Sequence, residues 1–264
     1  MNNGLFKTHE DVEKKINEAC GNLKSGNFVL AVNIFQELLI NGIDSIEVDT
    51  GIKCAKYWLN RIDNINKMTK GLDRGKYLLK EWEGFENFFQ ESAIEGKLYD
   101  IKIVELAGQY IIAFAVEDLV EAYKSLNYPD IDLLIKIGES FILLYDYHKA
   151  IETLEYVRTY RKKDPYILSL LADCYYGYGE VRRAKVLFRE AFFLGPEVIP
   201  IKKIKCSIIN DILSEIKKSG HSNVQAWIPV FGIINNYFDI KKELSDEEVE
   251  QLIKEIKRIE NEYY

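Results

Sequence analysis

The sequence contains few of the residues that interrupt helices, bind metals or carry catalysis. Its 264 residues include only five prolines, four cysteines and three histidines. The prolines stand at positions 129, 165, 196, 200 and 229, and three of them fall where a helix is expected to begin or end. Because proline interrupts a helix interior, this distribution is typical of a chain filled with helices.

The scarce reactive residues form no recognisable catalytic or metal-binding pattern. The cysteines are scattered, without a CxxC pair or a nearby histidine, and are predicted to be buried reduced thiols: Cys20, Cys54, Cys174 and Cys206. His148 is expected on the exposed side of a helix, and His9 and His221 in loops. HExxH, nucleophile-elbow and P-loop motifs are all absent. We therefore expect a protein that is not an enzyme and holds no cofactor or metal.

Charge and hydropathy restrict the partners and the location. The net charge is −7, whereas a nucleic-acid-binding protein usually presents a basic excess, so nucleic acid is not expected as a partner. The longest wholly apolar run, residues 111–116, is far shorter than the ~20 residues that span a bilayer, so no membrane insertion is expected. No basic stretch followed by an apolar one opens the sequence, and reduced thiols suit a cytoplasmic location.

A 34-residue period is the strongest pattern that the sequence does contain. Ala150 and Ala184 occupy equivalent places in two similar segments, 34 residues apart. Within residues 165–198, two apolar stripes with helical spacing flank an interruption at Gly177 and Gly179. The stripes consist of Leu168, Leu171, Ala172 and Tyr175, and of Val181, Ala184, Phe188 and Ala191. The segment is thus predicted to be a helix–turn–helix unit.

This unit resembles the tetratricopeptide repeat, whose period is 34 residues. The matching positions hold Leu171, Ala172, Tyr175, Gly179, Ala184, Phe188, Ala191 and Pro196. Subtracting 34 leads to Ile137, Gly138, Phe141, Tyr145, Ala150, Leu154, Val157 and Lys162. Both repeats have a small residue at each of the two positions where the helices approach closely: Gly138 and Ala172 at one, Ala150 and Ala184 at the other. The resemblance implies an all-α, tetratricopeptide-type solenoid, a right-handed superhelix of antiparallel helix pairs.

The period defines one array with an irregular middle. Residues 131–164 and 165–198 are predicted repeats, and 10–43 are predicted to form a third, with a turn at Gly26 and a second stripe of Phe28, Ala31, Phe35 and Leu38. Ala31 and Ala150 are 119 residues apart, which is not a multiple of 34, so residues 44–130 are irregular or degenerate helical repeats. Within 101–126 the pattern allows one long helix or a pair.

Residues 199–264 are predicted to supply terminal helices and a cap. The pattern favours a helix from about 199 to 218 and another within 224–238. In the acidic C-terminal segment, Ser245 and Glu248 form a capping-box pattern. An apolar stripe follows, made of Val249, Leu252, Ile253 and Ile256. We expect a charged capping helix there, because terminal units of a solenoid need a polar outer surface.

The resemblance further implies that the first helix of each repeat lines a concave groove. The groove positions are Asp132, Ile135, Lys136, Glu139, Tyr166, Leu170, Asp173 and Tyr176, with Ile142, Leu143, Ser169 and Gly177 beside them. Their apolar, aromatic and acidic mixture suits a protein or peptide partner with basic flanks. The alternative is that Ile142, Leu143 and Tyr176 only pack against a neighbouring turn.

Other functions remain open at this point. Some relatives in the family clamp a C-terminal carboxylate with basic residues, but the matching positions here are Ile101, Glu105, Lys136, Tyr166 and Leu170, so that ligand is not expected. The aromatic segment 227–238 resembles C-terminal parts of tetratricopeptide proteins of spirochaete bacteria. It could dock the chain into a larger assembly or onto a second copy. A helical-repeat factor associated with RNA is the third alternative.

Overall fold

All of the regular structure described for this chain is helical, as predicted. The computed structural model describes residues 8–221 and 223–238, together with 249, 250, 253, 254 and 257. Eleven α-helices and two short 3-10 turns follow one another in this part of the chain, with no strand among them. The predicted C-terminal capping helix lies largely outside the described residues.

The contacts divide the chain into two compact units, with the boundary between Lys162 and Lys163. That boundary falls two residues before the junction of the two predicted repeats, 131–164 and 165–198. Each unit is described by itself below.

Seven α-helices make up the described part of the first unit. They are α1 (His9–Lys24), α2 (Phe28–Ile40), α3 (Ile46–Lys67), α4 (Leu72–Ile94), α5 (Ile101–Lys124), α6 (Ile131–Leu143) and α7 (Tyr147–Tyr160). Each packs against the next along the chain, except that α7 ends the unit, and α5 also packs against α1 and α3. His9 opens α1 and is not in a loop as expected, since the Thr8 side chain caps the helix by accepting the N–H of Asp11.

The middle of the chain forms three long helices and not shorter repeats. Helices α3, α4 and α5 have 22, 23 and 24 residues, whereas α6 has 13. Residues 101–124 form one continuous helix, which decides between the two possibilities that the sequence left open. Their core is aromatic, with Trp58, Phe85 and Phe89 almost completely buried. Because α3, α4 and α5 are much longer than the helices of the 34-residue unit, that period does not continue between residues 44 and 130.

A buried ion pair joins α4 to α5. The Arg74 guanidinium donates through Nε to Oδ2 of Asp118 at 2.5 Å and through a terminal nitrogen to Oδ1 at 2.9 Å. Both side chains are at most 6% exposed. Such a two-pronged contact fixes the register of two helices, because either charge would be strongly destabilised without the other.

The second unit contains α8 (Pro165–Gly177), α9 (Val181–Leu194), α10 (Ser207–Lys218) and α11 (Val224–Ile234) among its described residues. The helix expected from about 199 begins only at Ser207; two 3-10 turns at 196–198 and 201–203 precede it. Pro200 lacks an N–H group for helical bonding. In addition, the Asp173 carboxylate accepts the backbone N–H of Cys206 at 2.8 Å and that of Lys205, which holds this connection in an extended form.

The helix pairs α6–α7 and α8–α9 have the same lengths and the same 34-residue offset at all four pairs of helix ends. Three residues connect the helices of each pair, and the central one is left-handed: Tyr145 has φ +60° and Gly179 has φ +96°. Gly26, with φ +75°, occupies the same place between α1 and α2. The structure thus repeats the predicted helix–turn–helix unit within each compact unit.

Candidate functional site

The predicted groove residues of α6 divide into an exposed set and a buried one. Asp132, Lys136 and Glu139 follow one another at steps of four and three residues, so they lie along one side of the helix. Asp132 and Lys136 are exposed and Glu139 is partly exposed. We call these three residues the α6 line. Ile135 is 7% exposed and belongs to the core instead.

The α6 line carries two carboxylates and one ammonium group. Asp132 accepts a hydrogen bond from the Arg161 guanidinium at 2.7 Å, although its side chain remains 79% exposed. An exposed pair of this kind contributes at most about 1 kcal/mol, so a ligand cation can displace it at little cost. The line can therefore bind a basic or polar segment through charge-assisted hydrogen bonds.

In α8, Tyr166 and Tyr176 are partly exposed, and we call them the α8 pair. The Tyr176 hydroxyl lies 2.5 Å from Oγ of Ser207, the first residue of α10. The Tyr176 hydroxyl is therefore hydrogen-bonded within the second unit, while the side chain stays partly exposed. Ile142 is buried in the first unit, at 6% exposure.

Leu170 and Asp173 were also predicted to line the groove, but the structure buries both side chains. The Asp173 carboxylate anchors the connection before α10, as described above. Burial raises the pKa of this carboxyl, and the N–H groups of Lys205 and Cys206 oppose that shift. The carboxylate of Asp173 is therefore hydrogen-bonded to the chain's own backbone. The sequence did not reveal this role, because an aspartate that caps a distant loop has no local pattern.

The positions that could form a carboxylate clamp are unsuited to it. Glu105 accepts a hydrogen bond from the Tyr145 hydroxyl at 2.6 Å, and Ile101 is exposed and apolar. A ligand carboxylate would therefore meet one anionic and one apolar side chain in this part of α5.

A group of tyrosines that the sequence analysis did not single out lies on α5 and α7. The hydroxyl groups of Tyr156 and Tyr160 are 3.0 Å apart, and their rings meet edge to face. Tyr123 of α5 also interacts with the Tyr156 side chain, and burial together with this neighbour raises the pKa of Tyr123. The four-residue spacing of the two α7 tyrosines is a signal that could have revealed them. We call Tyr123, Tyr156 and Tyr160 the tyrosine cluster.

The aromatic segment 227–238 is only partly exposed. Phe238 is 1% exposed; it stacks on Phe192 of α9 and occupies the space beside Gly232. Trp227, Val230, Phe231 and Ile234 instead follow the spacing of one helix side and are partly or fully exposed. We call these four residues the α11 stripe. His221 stacks on Trp227 with 4.0 Å between ring centroids.

Clusters of metal-ligating side chains and reactive thiols are two further kinds of site to consider among the described residues. No group of three or more His, Cys, Asp or Glu residues among them could hold a metal ion. Burial raises the pKa of Cys20 and Cys206 to about 11, and those of Cys54 and Cys174 also rise. Thiols with such pKa values stay protonated near neutral pH, and the thiol is a poor nucleophile.

Comparison with protein-family models finds no match, and the same holds for curated proteins and for solved structures. None of the helices in the described ranges combines the length and the apolar character needed to cross a bilayer.

Proposed function

We propose that this chain is a tetratricopeptide-type scaffold that binds a protein or peptide partner and catalyses no reaction. The observation that carries the proposal is the offset of 34 residues between all four ends of α6–α7 and those of α8–α9. Residues at the close approaches are small, as that repeat requires. A Cβ on Gly138 would press on Leu154, and Ala172 and Ala184 have no exposed surface. Under this proposal the pairs belong to one right-handed superhelix in a cytoplasmic, bacterial protein.

The partner-binding residues in this proposal are the α6 line and the α8 pair. Asp132 and Glu139 favour a partner with basic side chains, and tyrosines provide large contact areas at a low entropy cost. Residues 8–162 contain 26 acidic and 19 basic residues, so the wider charge of the first unit would also attract a basic segment. A partner recognised mainly by its terminal carboxylate is not part of this proposal.

The experiment is affinity capture with the full chain as bait and quantification of each captured protein. Charge reversal in the α6 line (Asp132→Lys, Glu139→Lys) should reduce recovery of a specific partner at least tenfold. Tyr166→Ala with Tyr176→Ala should reduce it as well. The matched control is His148→Ala with Glu152→Ala, since these two residues are exposed on α7. Equal recovery by all variants would reject the proposed binding residues.

One observation favours a second candidate, a structural subunit that docks through the α11 stripe. Helix α11 contains no charged residue, and its exposed side carries Trp227, Phe231 and two aliphatic residues. Apolar surface of this kind on a helix often marks an interface. Light scattering distinguishes the candidates: an oligomer of the wild type that Trp227→Ser with Phe231→Ser reduces to a monomer supports assembly. The assembly candidate is contradicted if the wild type is a monomer and the Trp227→Ser with Phe231→Ser variant still captures the partner.

A further inference from the structure

Two residues of the tyrosine cluster hold their hydroxyl groups side by side on the surface of α7. Tyr156 and Tyr160 are four residues apart, so their side chains are neighbours on one face of the helix. Their hydroxyl oxygens are 3.0 Å apart and their ring centroids are 5.4 Å apart. The two residues are 43% and 53% exposed, so a reagent in solution can reach both rings.

This arrangement brings together the atoms that react when tyrosine is oxidised. A phenol that gives up one electron and its hydroxyl proton becomes a phenoxyl radical, and part of the unpaired electron lies on the two ortho carbons. Because these carbons adjoin the hydroxyl-bearing carbon, hydroxyls in contact place ortho carbons of the two rings near each other. The hydrogen bond with Tyr156 raises the pKa of Tyr160, so that hydroxyl keeps its proton near neutral pH and releases it on oxidation.

The two rings can reach a coupling geometry without a change in the backbone. They now meet edge to face, with an angle of 69° between their planes. A tyrosine ring turns about a terminal torsion that has broad energy minima, and these exposed rings have room to turn. Tyr123 of α5 interacts with Tyr156 but is less exposed than either α7 residue, so an oxidant reaches it less readily.

A second pair of neighbouring tyrosines has a different arrangement. The rings of Tyr145 and Tyr147 also meet edge to face, but their centroids are 6.2 Å apart. The Tyr145 hydroxyl is hydrogen-bonded to the carboxylate of Glu105 at 2.6 Å, and not to another phenol. The contact between two phenol hydroxyls therefore distinguishes the pair on α7 from this one.

We propose that Tyr156 and Tyr160 form a site of oxidative modification, at which a one-electron oxidant joins the two rings as dityrosine. A haem peroxidase acting with hydrogen peroxide is an oxidant of this class. Each tyrosine loses one electron to the oxidant and one proton from its hydroxyl group. The two radicals form a carbon–carbon bond between ortho positions, and the hydrogens of these carbons pass to the oxygens. The pair thus gives up two hydrogen atoms, and one hydrogen peroxide molecule becomes two water molecules.

The crosslink spans the last turn of α7, which ends at Tyr160. Helix ends open more readily than helix interiors, because their last carbonyl groups have no partner within the helix. A covalent bond across the turn opposes this opening. The N–H of Arg161, which donates to the carbonyl of Val157 at 3.1 Å, therefore exchanges its hydrogen more slowly after oxidation.

The test treats the full chain, at low concentration, with a haem peroxidase and hydrogen peroxide, and follows the fluorescence of dityrosine in the monomer. Tyr156→Phe and Tyr160→Phe should each lower this fluorescence at least fivefold, because phenylalanine forms no phenoxyl radical. Tyr128→Phe and Tyr145→Phe are the matched controls and should leave it unchanged, although Tyr128 is 66% exposed.

Peptide mapping of the oxidised wild type tests the same site without any variant. Trypsin cuts after Arg158, between the two tyrosines, so the crosslink should join peptides 150–158 and 159–161 with the loss of two hydrogen masses. Joined peptides that contain any other tyrosine in place of this pair would overturn the proposal. Dityrosine confined to covalent dimers on a denaturing gel would overturn it too, because the coupling would then occur between chains.

Discussion

Several glycines of the first unit lie where a large ring occupies the space that a side chain would need. Gly51 faces Phe35, and Gly108 of α5 lies against the indole ring of Trp82 of α4. These contacts bring long helices close enough to bury their aromatic core. At this scale, packing depends on where side chains are missing as much as on where they are large.

Gly108→Ala should destabilise the protein by about 3 kcal/mol, because the added methyl group would overlap the Trp82 ring in a close-packed core. The change is measured as the free energy of unfolding in urea. Gly21→Ala is the matched control: it lies in α1 with no atom within 4 Å of the new Cβ, and it should stabilise the helix by about 0.5–1 kcal/mol. Equal effects of the two substitutions would contradict the packing described for α4 and α5.

The buried Arg74–Asp118 ion pair leads to a second stability prediction, in which the double mutant serves as the control for the single one. Asp118→Ala leaves the guanidinium buried without its partner and should cost about 3–5 kcal/mol of unfolding free energy. Replacing both residues, as Arg74→Met with Asp118→Leu, should recover most of that loss, since an apolar pair needs no compensation. A double mutant less stable than Asp118→Ala would show that the pair is not coupled as the structure indicates.

At the scale of elements, local signals were enough to predict most helices. Ser45, for example, begins α3 by accepting the N–H of Val48. The start of α10 was predicted wrongly, because it depends on hydrogen bonds between residues that are distant in the sequence. Its apolar pattern extends back to residue 199, but Pro200 and the carboxylate of Asp173, 32 residues before Lys205, postpone the start of α10.

Asp173→Ala should therefore loosen the connection before α10. It removes the acceptor for the N–H groups of Lys205 and Cys206, and an unpaired buried N–H costs about 1–3 kcal/mol. Hydrogen exchange at these two amides should accelerate strongly in the variant. Asp211→Ala, an exposed change on α10, serves as the control and should leave both amides unaffected. Unchanged protection in Asp173→Ala would mean that another group holds the connection.

Tyr145 shows a limit of the repeat pattern at the same scale. Tyr145 stands 34 residues before the turn glycine Gly179, and its backbone also adopts the left-handed conformation, with φ +60°. That conformation costs a non-glycine residue about 1–2 kcal/mol. The hydrogen bond from its hydroxyl to Glu105 and the edge-to-face contact with Tyr147 offset part of this cost.

For the whole molecule, periodicity predicted the helical class and the two helix–turn–helix units that contain α6 to α9. It could not predict which groove positions remain accessible. Ile135, Leu170 and Asp173 satisfy the spacing of a groove but are buried, because their burial depends on neighbouring elements that the repeat does not encode. The tyrosine cluster was missed for the same reason: α5 and α7 bring it together, and these helices are distant in the sequence.

The α6 line is the part of the proposed binding site that stays most exposed, so it offers the most direct test of the account. A photoreactive amino acid at position 136 of the full chain should crosslink to the partner recovered by affinity capture. The same amino acid at position 148, on the exposed side of α7, should give no crosslink to that partner. Crosslinking at 148 and none at 136 would contradict the proposal that this chain holds its partner along α6.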